Sequence, residues 1–323
     1  MEFFKENRVY NFMKFRFQFL GISLVLVLAS FGLLATKGLN FGIDFVGGSI
    51  IQVKYTQAAP IEQIRDELSK HEAFKNGIVT EFGSKEEVVI KITNTSSEMG
   101  TDIGEQVTQI LSSTGDFELR RVDMVGPKAG SELREKGIIA LCLALAMILA
   151  YVGFRFEWKF AIAAVVSSAH DIIIALGAIS LFNIEVNLDI LAALLTILGY
   201  SINDTIIIFD RIREKIPVLS TTDLDEVMND SVSATLSRTA LTSLTTLLVV
   251  ACLYFFGSEI ISGFSFTLFV GIVVGTYSSV FIASSFLPLL KFSVTSYRQK
   301  EVDKIKRQKE KDRIRAMYEK GVV

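Results

Sequence analysis

The residues able to do chemistry in this chain are few, and most of them lie inside long apolar runs. The segment Gly199-Tyr200-Ser201-Ile202-Asn203-Asp204-Thr205 sets one carboxylate among an amide and hydroxyls. Ser201, Asp204, Thr205 and Ile208 stand at i, i+3, i+4 and i+7, so they share one helix face and Asp204 sits on a polar stripe. An ionisable side chain inside a bilayer costs about 2.5–3.5 kcal/mol on insertion scales, which makes each one a candidate for function. Burial disfavours a bare charge, so Asp204 is expected to take up and release a proton near neutral pH, as a proton relay does. Permanent pairing with a cation or a helix terminus is the alternative. Asn203 and Thr205 are the polar neighbours that favour the relay.

A second carboxylate, Asp171, follows His170 near the middle of another apolar run and is the second relay candidate. For His170 a hydrogen-bonded packing role stands beside proton transfer, since no second ligand accompanies it. The pair and Ser201 invite a serine-hydrolase reading, but no nucleophile elbow surrounds that serine. Ser237-Arg238-Thr239 opens a further run, in which Thr239, Thr242, Ser243 and Thr246 form a hydroxyl stripe. Arg238 at its mouth is either a snorkelling anchor or a partner that charges, discharges or positions Asp204. Gly263, Thr267, Gly271, Gly275 and Ser279 recur every fourth residue in the last run, the small-residue ladder that lets helices approach closely. Gly42-Ile43-Asp44-Phe45-Val46-Gly47-Gly48 and Val125-Gly126-Pro127 bracket the one long polar segment and are read as hinges, with Asp44 just outside the membrane.

Composition fits this picture. The chain has 323 residues, 50% hydrophobic and 21% charged, with a mean hydropathy of +0.44, too apolar for an ordinary soluble protein. A net charge of −2 excludes a wholly basic nucleic-acid binder. Two histidines, and two cysteines that both lie in apolar runs, leave a zinc site nothing to stand on. No metal or organic cofactor is expected. The coupling ion is expected to be a proton, although sodium would use a carboxylate and hydroxyls equally well.

Six stretches reach the roughly 20 apolar residues a spanning helix needs: 17–36, 137–154, 160–182, 188–209, 239–257 and 262–290. No small-x-small cleavage site closely follows the first, which is therefore read as an uncleaved anchor after a cytoplasmic segment 1–16. Lys5, Arg8, Lys14 and Arg16, then Arg155 and Lys159, then Arg211, Arg213 and Lys215 all fall on one side, and the tail 291–323 is basic. Both termini are thus expected to be cytoplasmic. The tail suits anionic lipid headgroups, or is simply a solvated helix. The 210–238 loop is expected to carry a short helix along the cytoplasmic surface. The exported segment 37–136 reads as strand, helix, strand, strand, helix, strand over Ile50–Tyr55, Ile61–Glu72, Gly77–Phe82, Glu87–Thr93, Ser97–Ser112 and Phe117–Val125, the ferredoxin-like order. The expected fold is a polytopic α-helical membrane protein, with six transmembrane helices and one ferredoxin-like α+β domain between the first two.

The Gly42–Gly48 turn, Val125-Gly126-Pro127, Ala169-His170-Asp171, Leu198 through Glu214, Ser237-Arg238-Thr239 and the glycine ladder, in that order, resemble the SecF family. This is the smaller membrane subunit of SecDF protein-export complexes, within the resistance-nodulation-division superfamily. The resemblance implies half of a transporter bundle, whose second six-span half comes from another chain. It also implies SecD as that partner, the SecYEG channel alongside, YajC and the ATP-driven SecA motor as indirect associates, and a translocating polypeptide as cargo. The implied setting is the bacterial inner membrane, with no enzyme activity and with the proton-motive force drawing the polypeptide outward late in export. Asp204 and Arg238 match the family's acidic and basic membrane residues. A homo-oligomeric, proton-driven exporter of lipid or small molecules is the alternative that the same spans and carboxylates allow, and a passive assembly scaffold is a third.

Overall fold

The computed structural model describes residues 8–75, 77–93 and 103–319. Lys5 and residues 97–102 of the expected second domain helix lie outside them. Six helices are long and apolar enough to cross a membrane. They are H1 (Arg16–Thr36), H2 (Pro127–Arg155), H3 (Trp158–Leu181), H4 (Leu188–Val218), H5 (Leu224–Phe256) and H6 (Glu259–Leu289). The chain is a multi-pass membrane protein.

H3 and H6 are buried along most of their length, while H1, H2 and H5 expose most of theirs. The sequence accounts for this difference. H3 carries Ala161, Ala163, Ala164, Ser167, Ser168, Ala175 and Gly177, all buried small residues that let neighbours close in on every side. H1 instead presents Phe17, Ile22, Leu24, Val25 and Leu28 outward, where lipid or a second bundle receives them. H6 is interrupted at Ser279–Ala283 by a π-helical turn.

Three helices run further than hydropathy predicts. H2 begins at Pro127, ten residues before 137, because Pro127 sits at its first turn after an extended Gly126 and nothing in the polar stretch that follows breaks a helix. H4 continues to Val218. The separate surface helix expected within 210–238 does not form as such: those residues belong to the ends of H4 and H5, and only Leu219–Asp223 joins them. Asp223 caps H5 by accepting from the Asp225 N–H at 3.0 Å. Val227, Met228 and Val232 then pack on Ile208, Phe209, Ile212 and Ile216 of H4.

Between H1 and H2 lie strands β1 (Asn40–Phe41), β2 (Gly48–Tyr55), β3 (Ile78–Phe82), β4 (Ser84–Thr93) and β5 (Phe117–Val125), with helices Ile61–Ser69 and Ile103–Leu111. The sheet order β3-β4-β2-β5, with every neighbour antiparallel, is the ferredoxin-like arrangement that the element order anticipates. Both helices cover one face, burying Ile64, Leu68, Ile103, Val107 and Leu111 on Ile51, Val53, Val88, Ile90 and Ile92. The opposite face looks toward the bundle across a cleft of about 520 Å³.

Attachment of this domain to the bundle is specific. β1 pairs in parallel with β6 (Glu185–Val186) in the H3–H4 turn. The Asp44 carboxylate accepts from the Leu188 N–H at 3.0 Å, at the start of H4. Lys91 on β4 reaches both oxygens of Glu185 at 3.1 Å. The two predicted hinges meet at one point, because Gly48 opens β2 directly opposite Val125, which closes β5. At Gly47, φ is +84° and an added Cβ would come within 2.8 Å of the Pro127 backbone, so neither the conformation nor the space admits a side chain.

Candidate functional site in the membrane bundle

The polar residues inside the bundle form two groups, spaced by one turn of H4. Ser201, Asp204, Thr205 and Ile208 are all buried, as their shared face requires. Asn203 points outward and joins neither group. Asp204, 2% exposed, is turned toward H5, where the Ser243 hydroxyl and the Arg238 guanidinium act on it. Among the described residues its Oδ2 has no hydrogen-bond partner, and neither has the buried Thr239 Oγ1 of H5.

Arg238 and Asp204 are not in ion-pair contact among the described residues; Arg238 lines an opening at the end of the bundle, with Asp210 and Glu214. The hydroxyl stripe of H5 divides. Thr239 and Ser243 are buried, whereas Thr242 is exposed and donates to backbone carbonyls of its own helix, as Thr246 does to the Thr242 carbonyl. Ser243 Oγ lies 2.7 Å from Thr276 Oγ1 on H6, so one hydroxyl network joins H5 and H6 beside Asp204.

The second group centres on Asp171 of H3, which is fully buried. His170 Nδ1 lies 2.9 Å from Asp171 Oδ1. Ser201 of H4 donates to Asp171 Oδ2 at 2.5 Å, and Ser278 of H6 donates to the same oxygen at 2.8 Å. One carboxylate thus holds three helices together. Gly275 makes that approach possible, since a Cβ there would lie 3.2 Å from Ser201 Cβ and 3.6 Å from Asp171 Oδ2. Gly271 lies against Ile197 and Gly263 against Ile184, so the ladder positions named from sequence stand where H6 meets H4 and the turn before it. Spacing alone did not expose Ser278 as a partner of Asp171. Its position three residues after Gly275, on the face that closes onto H4, was the available signal.

The basic residues gather at the Arg238 end. Arg16 pairs with Asp225 at 2.6 Å, Arg155 with Asp210 at 3.2 Å and Lys215 with Asp230 at 2.6 Å. Arg298, from the tail helix Val294–Glu319, donates to the carbonyls of Ile216, Leu219 and Thr221 where H4 ends.

Comparison with known proteins places this architecture. Residues 106–293 match the family described as protein export membrane protein SecD/SecF, C-terminal, and residues 32–59 match the SecD/SecF GG motif, which contains Gly47 and Gly48. A protein translocase subunit SecF from Helicobacter pylori strain J99 is 49% identical over the whole of both chains. The chain belongs to the SecF family. A second SecF, from Escherichia coli O157:H7, is 38% identical over 92% of this chain and 93% of its own length. The crystal structure of SecDF from Thermus thermophilus superposes with a TM-score of 0.75 at 35% identity, covering 88% of this chain. The match spans only 39% of that SecDF chain, so the solved protein is much the longer. Relatives named as translocase subunits do not favour the stand-alone exporter of lipid or small molecules.

Proposed function

We propose that this chain is the SecF half of a SecDF-type export unit, which couples proton passage at Asp204 to movement of its exported domain and so to outward transfer of secreted polypeptide. The observation that carries the reading is the buried Asp204, with one oxygen unpartnered among the described residues and Arg238 at the mouth of its helix pair but out of ion-pair contact with it, in a chain alike from end to end to a translocase subunit. A carboxylate in that setting has something to gain from a proton, and a cation held nearby but out of contact adjusts the balance without fixing it.

SecD supplies the second half of the bundle. The exposed apolar flanks of H1, H2 and H5 and the length of the Thermus thermophilus SecDF chain support this pairing. SecYEG lies alongside in this reading, with YajC and SecA as indirect associates. Both termini face the cytoplasm, a placement supported by the basic residues gathered at one end of the bundle. The Gly47 and Pro127 contact, where both connections to the domain meet, is the pivot. The chain acts as a transport component, not an enzyme.

The experiment is to isolate the tagged chain from membranes in mild detergent and to identify by mass what accompanies it. A different six-span chain at fixed stoichiometry is expected; copies of this chain alone would overturn the reading in favour of a homo-oligomer.

A further inference from the structure

Asp171 lies 30 residues before Ser201 and 107 before Ser278, yet one of its oxygens holds both hydroxyls. The geometry of these groups fits two states in which both Asp171 oxygens are hydrogen-bonded. When Asp171 is ionised, Ser201 and Ser278 both donate to Oδ2, and the His170 Nδ1–H donates to Oδ1. When Oδ2 carries a proton, that proton is donated to Ser278 Oγ. Ser278 then turns its own proton to the Gly275 carbonyl, already 3.1 Å away. Ser201 and His170 keep their roles in both states, and no heavy atom has to move. A buried carboxyl group whose two forms are both satisfied escapes the cost that otherwise pins such a group to one form.

We infer that Asp171, with Ser201 and Ser278 as its hydroxyl partners, is a second proton-binding site, at the junction of H3, H4 and H6. The oxygens favour a proton over a metal cation: at 2.5 and 2.8 Å they already touch through hydrogen bonds, and a sodium ion placed among them would have to force them apart. The surroundings carry little competing charge. H4 contributes Asp204, one turn from Ser201, and H5 contributes Arg238 beyond it. H6 contributes Tyr277, whose ring centroid is 6.3 Å from that of His170. H1 offers Ser23 to Tyr277, and H2 carries no acidic or basic residue between Lys136 and Arg155. Proton occupancy at Asp171 therefore acts on the hydroxyl that immediately precedes the π-helical turn of H6, a kind of local distortion common at functional sites. The role of this site in export rests on the proton-coupled reading above; its proton binding does not.

The test is infrared difference spectroscopy of the purified full chain in lipid, titrated between about pH 5 and about pH 9. A protonated carboxylic acid has its own carbonyl band, and Asp171→Asn identifies which part of that band is Asp171. A titrating band that is lost in Asp171→Asn and is indifferent to added sodium is the expected result. Ser201→Ala, which removes a donor that favours the ionised form, is expected to raise the ratio of protonated to ionised Asp171 at fixed pH by about tenfold. Ser278→Ala removes the donor to the ionised form and the acceptor of the protonated form together and is expected to move it far less, and Ser201→Thr is expected to restore the original titration. Equal shifts from the two alanine variants would contradict the two-state arrangement, and a band erased by sodium would replace the proton with a cation. No Asp171 band at any pH would overturn the proposal while leaving Asp204 to be judged by its own export assay.

Discussion

Replacing Gly271 with alanine is expected to destabilise the bundle more than the same change at Gly275, and far more than at Gly199. The structure sets the order. A methyl group at Gly199 has nothing within 4 Å, so alanine there brings only its better helix propensity, worth up to about 1 kcal/mol. At Gly275 the new carbon would lie 3.2 Å from Ser201 Cβ, so a neighbour must give by a few tenths of an ångström. Overpacking of that kind costs about 1–3 kcal/mol, which the propensity gain partly offsets to leave a net loss of about 0–2 kcal/mol. At Gly271 the carbon would overlap the Ile197 side chain, which is 1% exposed and has no free direction in which to turn. A net loss of about 2–3 kcal/mol or more is expected there. Thermal unfolding of the isolated full chain in mild detergent would read the series, with the midpoint falling from Gly199→Ala to Gly275→Ala to Gly271→Ala. A Gly271→Ala protein as stable as Gly199→Ala would refute the close H4–H6 packing on which the Asp171 site depends.

Three further outcomes follow from the geometry. Arg298→Ala, which strips the guanidinium from three carbonyls at the end of H4, is expected to free the tail helix at a local cost of about 1.5–3 kcal/mol; Lys at 298 should not restore it, and protease cleavage within the tail would report the change. The Lys91–Glu185 pair, roughly a quarter exposed, is expected to contribute about 0.5–1 kcal/mol in a double-mutant cycle, with Lys91→Glu alone loosening the exported domain and the exchanged pair Lys91→Glu, Glu185→Lys recovering it; amide exchange at β1 and β6 would show whether it does. Tyr55, held above its ordinary value of 10.0 by burial in the domain core beside Thr114, binds its proton more tightly folded than unfolded. Its contribution is therefore complete below about pH 10 and is lost as pH rises through the folded value, so amide exchange in the exported domain should accelerate in strong alkali for the wild-type chain and show a weaker pH dependence in Tyr55→Phe.

Much of this architecture was legible in the residues because hydropathy and period are strong signals. The six apolar runs, the alternation of strand and helix between the first two, and the burial of Ser201, Asp204, Thr205 and Ile208 on one face all follow from spacing. Helix length was less legible. Hydropathy marks where a helix enters lipid, not where its hydrogen bonding stops, so by hydropathy alone the polar starts of H2 and H5 belong to the domain and the loop. The helix-start signals were nonetheless present, as Gly126-Pro127 and as Asp223 ahead of Asp225 and Glu226. Contacts between distant segments were least legible. The meeting of Ser278 with Asp171, and the seating of Arg298 on the end of H4, depend on helix rotation and on a tail docking far from its target in sequence. The two turns show the same limit: glycine at 47 and 48 is plain in the sequence, but strand pairing is what brings Gly48 opposite Val125 and sets the two connections side by side.

Whether proton passage at Asp204 drives export is read by the release rate of a secreted reporter from vesicles containing this chain with SecD and the channel. The rate would be taken with and without a proton gradient at constant sodium, for the wild-type chain and for Asp204→Asn. Asp204→Asn, with the assembly intact, is expected to lower the rate to that of the wild-type chain with the gradient collapsed, and collapsing the gradient should then change nothing further. An Asp204→Asn chain that keeps the full gradient-dependent rate would contradict that role of Asp204.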